Sequence, residues 1–162
     1  MRIGITGHRR LQNPLDWEWV RLELNDLLAN STTPLVGVTS LAIGADQLFA
    51  TSVLQKEGTI EAVIPYPEYE TSFEEEDKAA YRDLIARASK VRILPNKASV
   101  EEAYLEAGKA VVDSSDLMVV VWDGKPAKGL GGTGDAVEYA RQKGKKIIHL
   151  NPDLHAVIEL YK

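Results

Sequence analysis

No cysteine occurs among the 162 residues, which excludes disulfides, thiolate metal sites and cysteine nucleophiles and suits a reducing cytoplasm. No apolar run approaches the roughly 18 residues that a membrane span requires, and the opening MRIGITGHRR is too polar for a secretory segment. The expectation is a cytoplasmic protein with no membrane partner. Basic residues never run longer than a pair, and the net charge is −5. A nucleic-acid backbone would be repelled unless a local basic stripe overcame that charge, so nucleic acid is disfavoured as a partner. Low-complexity tracts, internal repeats and linkers are also missing. Nothing in the chain calls for a resident metal or cofactor.

What is present fits one domain over residues 1–162, with 44% hydrophobic and 27% charged residues. Short aliphatic runs alternate with amphipathic stretches, the pattern of successive βα units. Strands are expected near Arg2 to Thr6, Leu35 to Thr39, Glu61 to Pro65, Lys90 to Leu94, Leu117 to Trp122 and Lys146 to Leu150. Several are near-continuous apolar runs, as strands covered on both faces require. Helices are expected over Asp16 to Ala29, Ala45 to Lys56, Ser72 to Arg87, Val100 to Val112 and Ala136 to Lys143, with a short last helix near His155 to Leu160. In the first, Trp17, Val20, Leu24, Leu27 and Leu28 form one stripe at helical spacing. The predicted fold class is α/β: a Rossmann-like, doubly wound, mainly parallel sheet of about six strands with helices on both faces. The predicted strand order is 3-2-1-4-5-6. A ligand would then sit beyond the carboxyl ends of the strands, among the loops after strands one, two, four and five.

Three loops carry the candidate chemistry. After strand one, Gly4-Ile5-Thr6-Gly7-His8-Arg9-Arg10 combines glycine with cations. Gly7 would let backbone N–H groups approach an anion and Arg9 or Arg10 would clamp it, with His8 beside them. After strand two, the loop through Gly44 opens a helix whose free N–H groups suit an anion, and Asp46 would hold a ribose hydroxyl or serve the helix's own first turn. After strand five comes a long Gly-rich loop from Asp123 to Glu138. Gly131, Gly132, Thr133 and Gly134 would contact the ligand backbone-first, and Glu138 would point back toward it. Asp135 and Glu138 also have the spacing of a helix cap and its third residue, which explains both without a ligand. Asp123 would bind ribose or start the turn.

Trp17 and Trp122 read as core, while Trp19 lies off the stripe and could serve an interface. Glu74, Glu75, Glu76 and Asp77 open a helix, where acidic residues complement the dipole.

Taken together, GITGHRRL, TSLAIGADQLFA, Tyr104 with Gly108, Ser115-Asp116 and VVVWDGKPAKGLGGTGDAVEYAR resemble the SLOG superfamily of Rossmann-like proteins over nearly the whole chain. That superfamily joins the Smf/DprA proteins with the Lonely guy phosphoribohydrolases and includes nucleotide sensors. The Lonely guy motif P-G-G-x-G-T-x-x-E is matched at Gly131, Gly132, Gly134 and Glu138, but Leu130 replaces its proline and Asp135 its threonine. A carboxylate at that helix terminus repels a phosphate, which weighs against monophosphate hydrolysis. The same stretch resembles nucleoside 2-deoxyribosyltransferases, with Glu138 again matching. The resemblance implies binding or sensing of a nucleotide-like small molecule. Its alternatives are an N-ribohydrolase or ribosyltransferase with Glu138 as catalytic carboxylate, or DprA-like binding of single-stranded DNA. It also implies a homodimer.

Overall fold

Six runs of strand-forming residues line up side by side in the computed structural model, which describes residues 1–126 and 129–160. They are β1 (Arg2–Gly7), β2 (Val36–Thr39), β3 (Thr59–Ile64), β4 (Lys90–Ile93), β5 (Leu117–Val121) and β6 (Lys146–Asn151), all parallel. A seventh strand, β7 (Ala156–Leu160), folds back antiparallel on β6, so Asn151 faces Ala156. Connecting them are helices α1 (Asp16–Ala29), α2 (Ala45–Gln55), α3 (Glu75–Arg87), α4 (Val100–Asp113) and α5 (Thr133–Gln142). The Rossmann-like α/β class is therefore as expected.

Burial follows the sequence periodicity. Along β5 every residue is buried, with Leu117, Val119 and Val121 joining one apolar cluster and Met118 and Val120 another. The first cluster takes Val20, Leu24 and Leu28 from α1 and Phe49 and Val53 from α2. The second takes Ala107 and Val111 from α4 and Val137 and Ala140 from α5. Each face of the sheet thus has its own core, as two-sided burial of a parallel strand demands. Trp17 packs against the first cluster, in keeping with its core reading.

Two expectations need correction. The sheet order is β4-β3-β2-β1-β5-β6-β7, not 3-2-1-4-5-6. β4 lies at the sheet edge beside β3, and all four of its residues are exposed. α4 then carries the chain back to the centre, where β5 pairs with β1. The point where strand order reverses is therefore between β1 and β5. The second correction concerns the segment expected as a helix near His155 to Leu160, where Ala156–Leu160 form β7. The Asn151 side-chain oxygen accepts N–H groups of Asp153 and Leu154, an Asx-type turn that reverses the chain. His155 adopts φ 47° before the β-branched Val157 and Ile158 extend it.

Among the described residues no helix is long and apolar enough to cross a membrane. Trp19 stacks on His155 of the same chain, with ring centroids 5.0 Å apart and planes 4° from parallel. That contact gives Trp19 an internal partner.

Candidate functional site

The carboxyl ends of β1 and β5 are locked together before any ligand is considered. Gly7 is paired with Val121, the His8 N–H donates to the Val121 carbonyl at 3.0 Å, and the His8 carbonyl accepts the Ala45 N–H at 3.1 Å. The turn after β1 therefore runs between the end of β5 and the first residue of α2. Gly7 is hemmed in there, since a Cβ would stand 2.7 Å from that of Ala45 and 2.8 Å from that of Val121.

A cavity of about 660 Å³ opens above this junction, a volume within the usual range for small-molecule sites. From the loop after β1 come Gly7, His8, Arg9 and Arg10; from the loop after β2 and the start of α2 come Ser40, Ala42 and Asp46. The segment after β5 contributes Trp122, Asp123, Lys125 and the run Gly131 to Gly134. Tyr69, Tyr104 and Gly108 join the wall from a 3-10 turn after β3 and from α4. The loop after β4 contributes nothing to the lining, contrary to expectation, because β4 stands at the sheet edge.

Nine of the eleven sequence-derived site residues are brought together: Gly7, His8, Arg9, Asp46, Asp123, Gly131, Gly132, Thr133 and Gly134. Gly44 and Glu138 are not among the lining residues. Gly44 acts from behind, at φ 83°, with a would-be Cβ only 2.4 Å from the Arg9 carbonyl oxygen. The Glu138 side chain is exposed and accepts from the Gln142 amide at 3.2 Å along its own helix. The reading in which Glu138 points toward a ligand is corrected accordingly: it lies in the second turn of α5, away from the helix start.

The cap at that start also differs from the sequence reading. Gly132 is the N-cap, and the Asp135 carboxylate reaches back to accept the Gly131 N–H at 2.7 Å. Asp135 thereby steadies the glycine turn, while the N–H groups of Thr133 and Gly134 donate to no described residue. Gly131 needs its missing side chain as well. It sits at φ 83°, and a Cβ would meet the Glu101 carbonyl oxygen at 2.7 Å and the Leu105 nitrogen at 2.8 Å.

Charge is distributed unevenly around the cavity. The Arg9 guanidinium lies 4.9 Å above the Tyr104 ring. Burial opposes its charge, but the Tyr104 hydroxyl, Tyr69 and Asp46 more than offset that, so Arg9 is held above its ordinary pKa. Across the opening, the Asp123 N–H donates to His8 Nε2 at 3.1 Å, and the Asp123 carboxylate accepts the Lys125 N–H at 2.9 Å. Burial would raise the Asp123 pKa, yet the Lys125 N–H and His8 hold it below the ordinary value. Asp123 is therefore a fixed anion that also starts the turn.

Asp46 is the titratable exception. It is 6% exposed, and burial pushes its carboxyl up to about 6, against the opposing hydrogen bonds from the Thr39 hydroxyl and the Ser40 N–H, both at 3.1 Å. Its position in the first turn of α2 and these two bonds account for the local structure, and its place in the lining leaves a ligand role open to it. Because the folded-state value exceeds the unfolded one, the carboxyl favours folding at low pH and the benefit is lost as pH rises toward 6 and beyond. Relative to Asp46→Asn, the native protein should lose roughly 2 kcal/mol of stability between about pH 4.5 and pH 7. Parallel stability curves for the two proteins in denaturant titrations would contradict this assignment.

Sequence reasoning missed several lining residues. Tyr69 is 2% exposed and its hydroxyl is pushed well above the ordinary value, chiefly by burial and then by Asp46. Trp122 packs against the second core cluster, as its core reading expected, but also lines the cavity, with Nε1 donating to the Lys125 carbonyl at 2.8 Å. Tyr104 and Gly108 entered only through the resemblance. The stretch at 127–128 within the Gly-rich loop lies outside the described residues.

No protein-family profile and no curated protein match the chain. Solved structures do. The DNA processing protein A (DprA) of Streptococcus pneumoniae superposes with a TM-score of 0.64 at 16% identity, over 91% of this chain and 49% of that one. The DprA of Helicobacter pylori, a structure titled for its single-stranded DNA binding mode, gives 0.63 at 17% identity, covering 92% of this chain and 64% of that one. TM1055, a structural-genomics target, gives 0.60 at 16% identity, with 92% and 73% covered. This chain thus spans about half the length of the pneumococcal protein. At such identities the likeness is one of fold alone.

Proposed function

We propose that this protein binds a nucleotide or nucleotide-derived small molecule in the cavity above β1 and β5. One observation carries the reading: Gly7, Arg9 and the residues Thr133 and Gly134, whose N–H groups have no partner among the described residues, all line one cavity. Such an arrangement offers an anion a helix N-terminus, backbone N–H donors and a cation from three chain segments at once. Asp46 and Asp123 supply acceptors for ribose hydroxyls, and Tyr104, Tyr69 and Trp122 supply apolar wall. Sensing is the favoured role. The N-ribohydrolase alternative takes Glu138 as its catalytic carboxylate, and Glu138 sits outside the lining. Detection of free base after incubation with nucleosides and monophosphates would reinstate that alternative.

A selective ligand raises the melting temperature by mass action. Among AMP, ADP, ADP-ribose and cyclic dinucleotides, at least one is expected to stabilise the native protein and to do so less in Gly132→Val. Gly132 has an extended backbone, φ −78° and ψ 176°, so valine is accepted there without backbone strain. Equal stabilisation of both proteins would remove the glycine cradle from the proposal.

Single-stranded DNA is the second reading, prompted by the DprA likeness. Salt-sensitive binding of an oligonucleotide, abolished in Arg9→Ala, would promote it over a small molecule. We propose a homodimer in a cytoplasmic setting, to be checked by light scattering.

A further inference from the structure

A second cavity, of about 400 Å³, adjoins the first, and the two share Arg9, Arg10, Ala42 and Tyr69 as a common wall. Its far side is made by Ile43, Ser72, Phe73, Glu74 and Asp77, contributed by the loop after β2 and by the segment leading into α3. The larger cavity alone has ample room for one nucleotide, so the smaller one is additional space. Among the described residues neither Arg9 nor Arg10 forms an ion pair, and the carboxylates of Glu74 and Asp77 accept no hydrogen bond. Two cations therefore stand at the junction of two cavities with no ion-pair contact among the described residues, while the far end of the smaller cavity is acidic.

We propose that the two cavities together receive one two-part ligand, a dinucleotide-sized molecule whose linking phosphates lie at the Arg9–Arg10 wall with one nucleoside half on each side. This rests on the nucleotide reading above. Linking phosphates placed at the junction meet both guanidinium groups, where planar donors suit phosphate oxygens. The smaller cavity excludes a terminal phosphate, because Glu74 and Asp77 would repel it. It suits a base, whose amine hydrogens those carboxylates can accept and whose face can lie against Phe73 or Tyr69.

The test uses diadenosine diphosphate, in which a pyrophosphate joins two adenosines, against ADP, which has the same pyrophosphate and one adenosine. Calorimetry on the native protein should give an affinity for diadenosine diphosphate about tenfold or more above that for ADP, since the second half binds as an intramolecular partner. Ser72→Trp, which fills the smaller cavity from an exposed position, should reduce the gain to nothing and leave ADP binding unchanged. Glu74→Gln/Asp77→Asn, a change with no steric demand, should reduce it in part. Equal affinities in the native protein, or a gain that survives both variants, would overturn the two-part ligand. ADP binding with no gain removes this inference alone, whereas failure of both probes to bind removes the nucleotide reading with it.

Discussion

Arg9→Ala is expected to bind ADP about 100-fold more weakly than the native protein while unfolding at nearly the same temperature. The binding loss follows from position. Arg9 is steered by its seat over Tyr104 and borders both cavities, so a phosphate beside it gains charge-assisted hydrogen bonds. Removing one partner leaves that phosphate beside Asp46 and Asp123 with its favourable field gone. The stability loss should be small, because Arg9 contributes no ion pair among the described residues and its cation–π contact is worth only about 1 kcal/mol. Calorimetry and thermal unfolding on the same preparation check both halves. An affinity within threefold of native would show that Arg9 is a solvated loop residue.

Gly44→Val should do the opposite, destabilising the fold by about 4 kcal/mol and weakening ADP binding as a secondary effect. Its backbone is held at φ 83°, a region that a β-branched side chain strongly disfavours. Space is the second obstacle, since the new Cβ would lie 2.4 Å from the Arg9 carbonyl oxygen and 2.6 Å from that of His8. Relief requires the turn after β1 to move away from α2, breaking the Ala45 N–H to His8 bond. Chemical denaturation measures the loss. A variant as stable as the native protein would mean that this turn has slack that the geometry denies.

The fold class was legible in the alternation of apolar runs and amphipathic stretches, and α1 (Asp16–Ala29) matches its expected bounds. Strand order was not, because a βα alternation is compatible with several orders. A local cue existed in Lys90-Val91-Arg92-Ile93, which alternates polar and apolar residues where β5 reads Leu-Met-Val-Val-Val. Central parallel strands are apolar throughout, so the alternating one belongs at the edge. β7 was mistaken for a helix because five residues are too few to establish a period. Its β-branched pair behind an Asn-Pro-Asp turn was the better guide. In the site, glycines and cations at the ends of β1 and β5 were legible because those strand ends carry the loops of a doubly wound sheet. Tyr69 and Trp122 were not, since an aromatic that lines a cavity and one that fills a core have the same local sequence. Glu138 was misplaced by a matching motif. Where a helix starts decides which way its first acid points, and α5 begins three residues earlier than the apolar pattern suggests.

The long return of α4 from the sheet edge to its middle divides the polypeptide into an amino-terminal block, β1 to β4, and a carboxyl-terminal block, β5 to β7. The seam between them runs along β1 and β5 and continues where α4 packs on α5. A molecule bridging Arg9 to Thr133 fastens the blocks across that seam, so its arrival would be felt as slower opening of the whole chain rather than of one loop. Amide exchange in β1 and β5 would register occupancy even where no atom of the guest reaches.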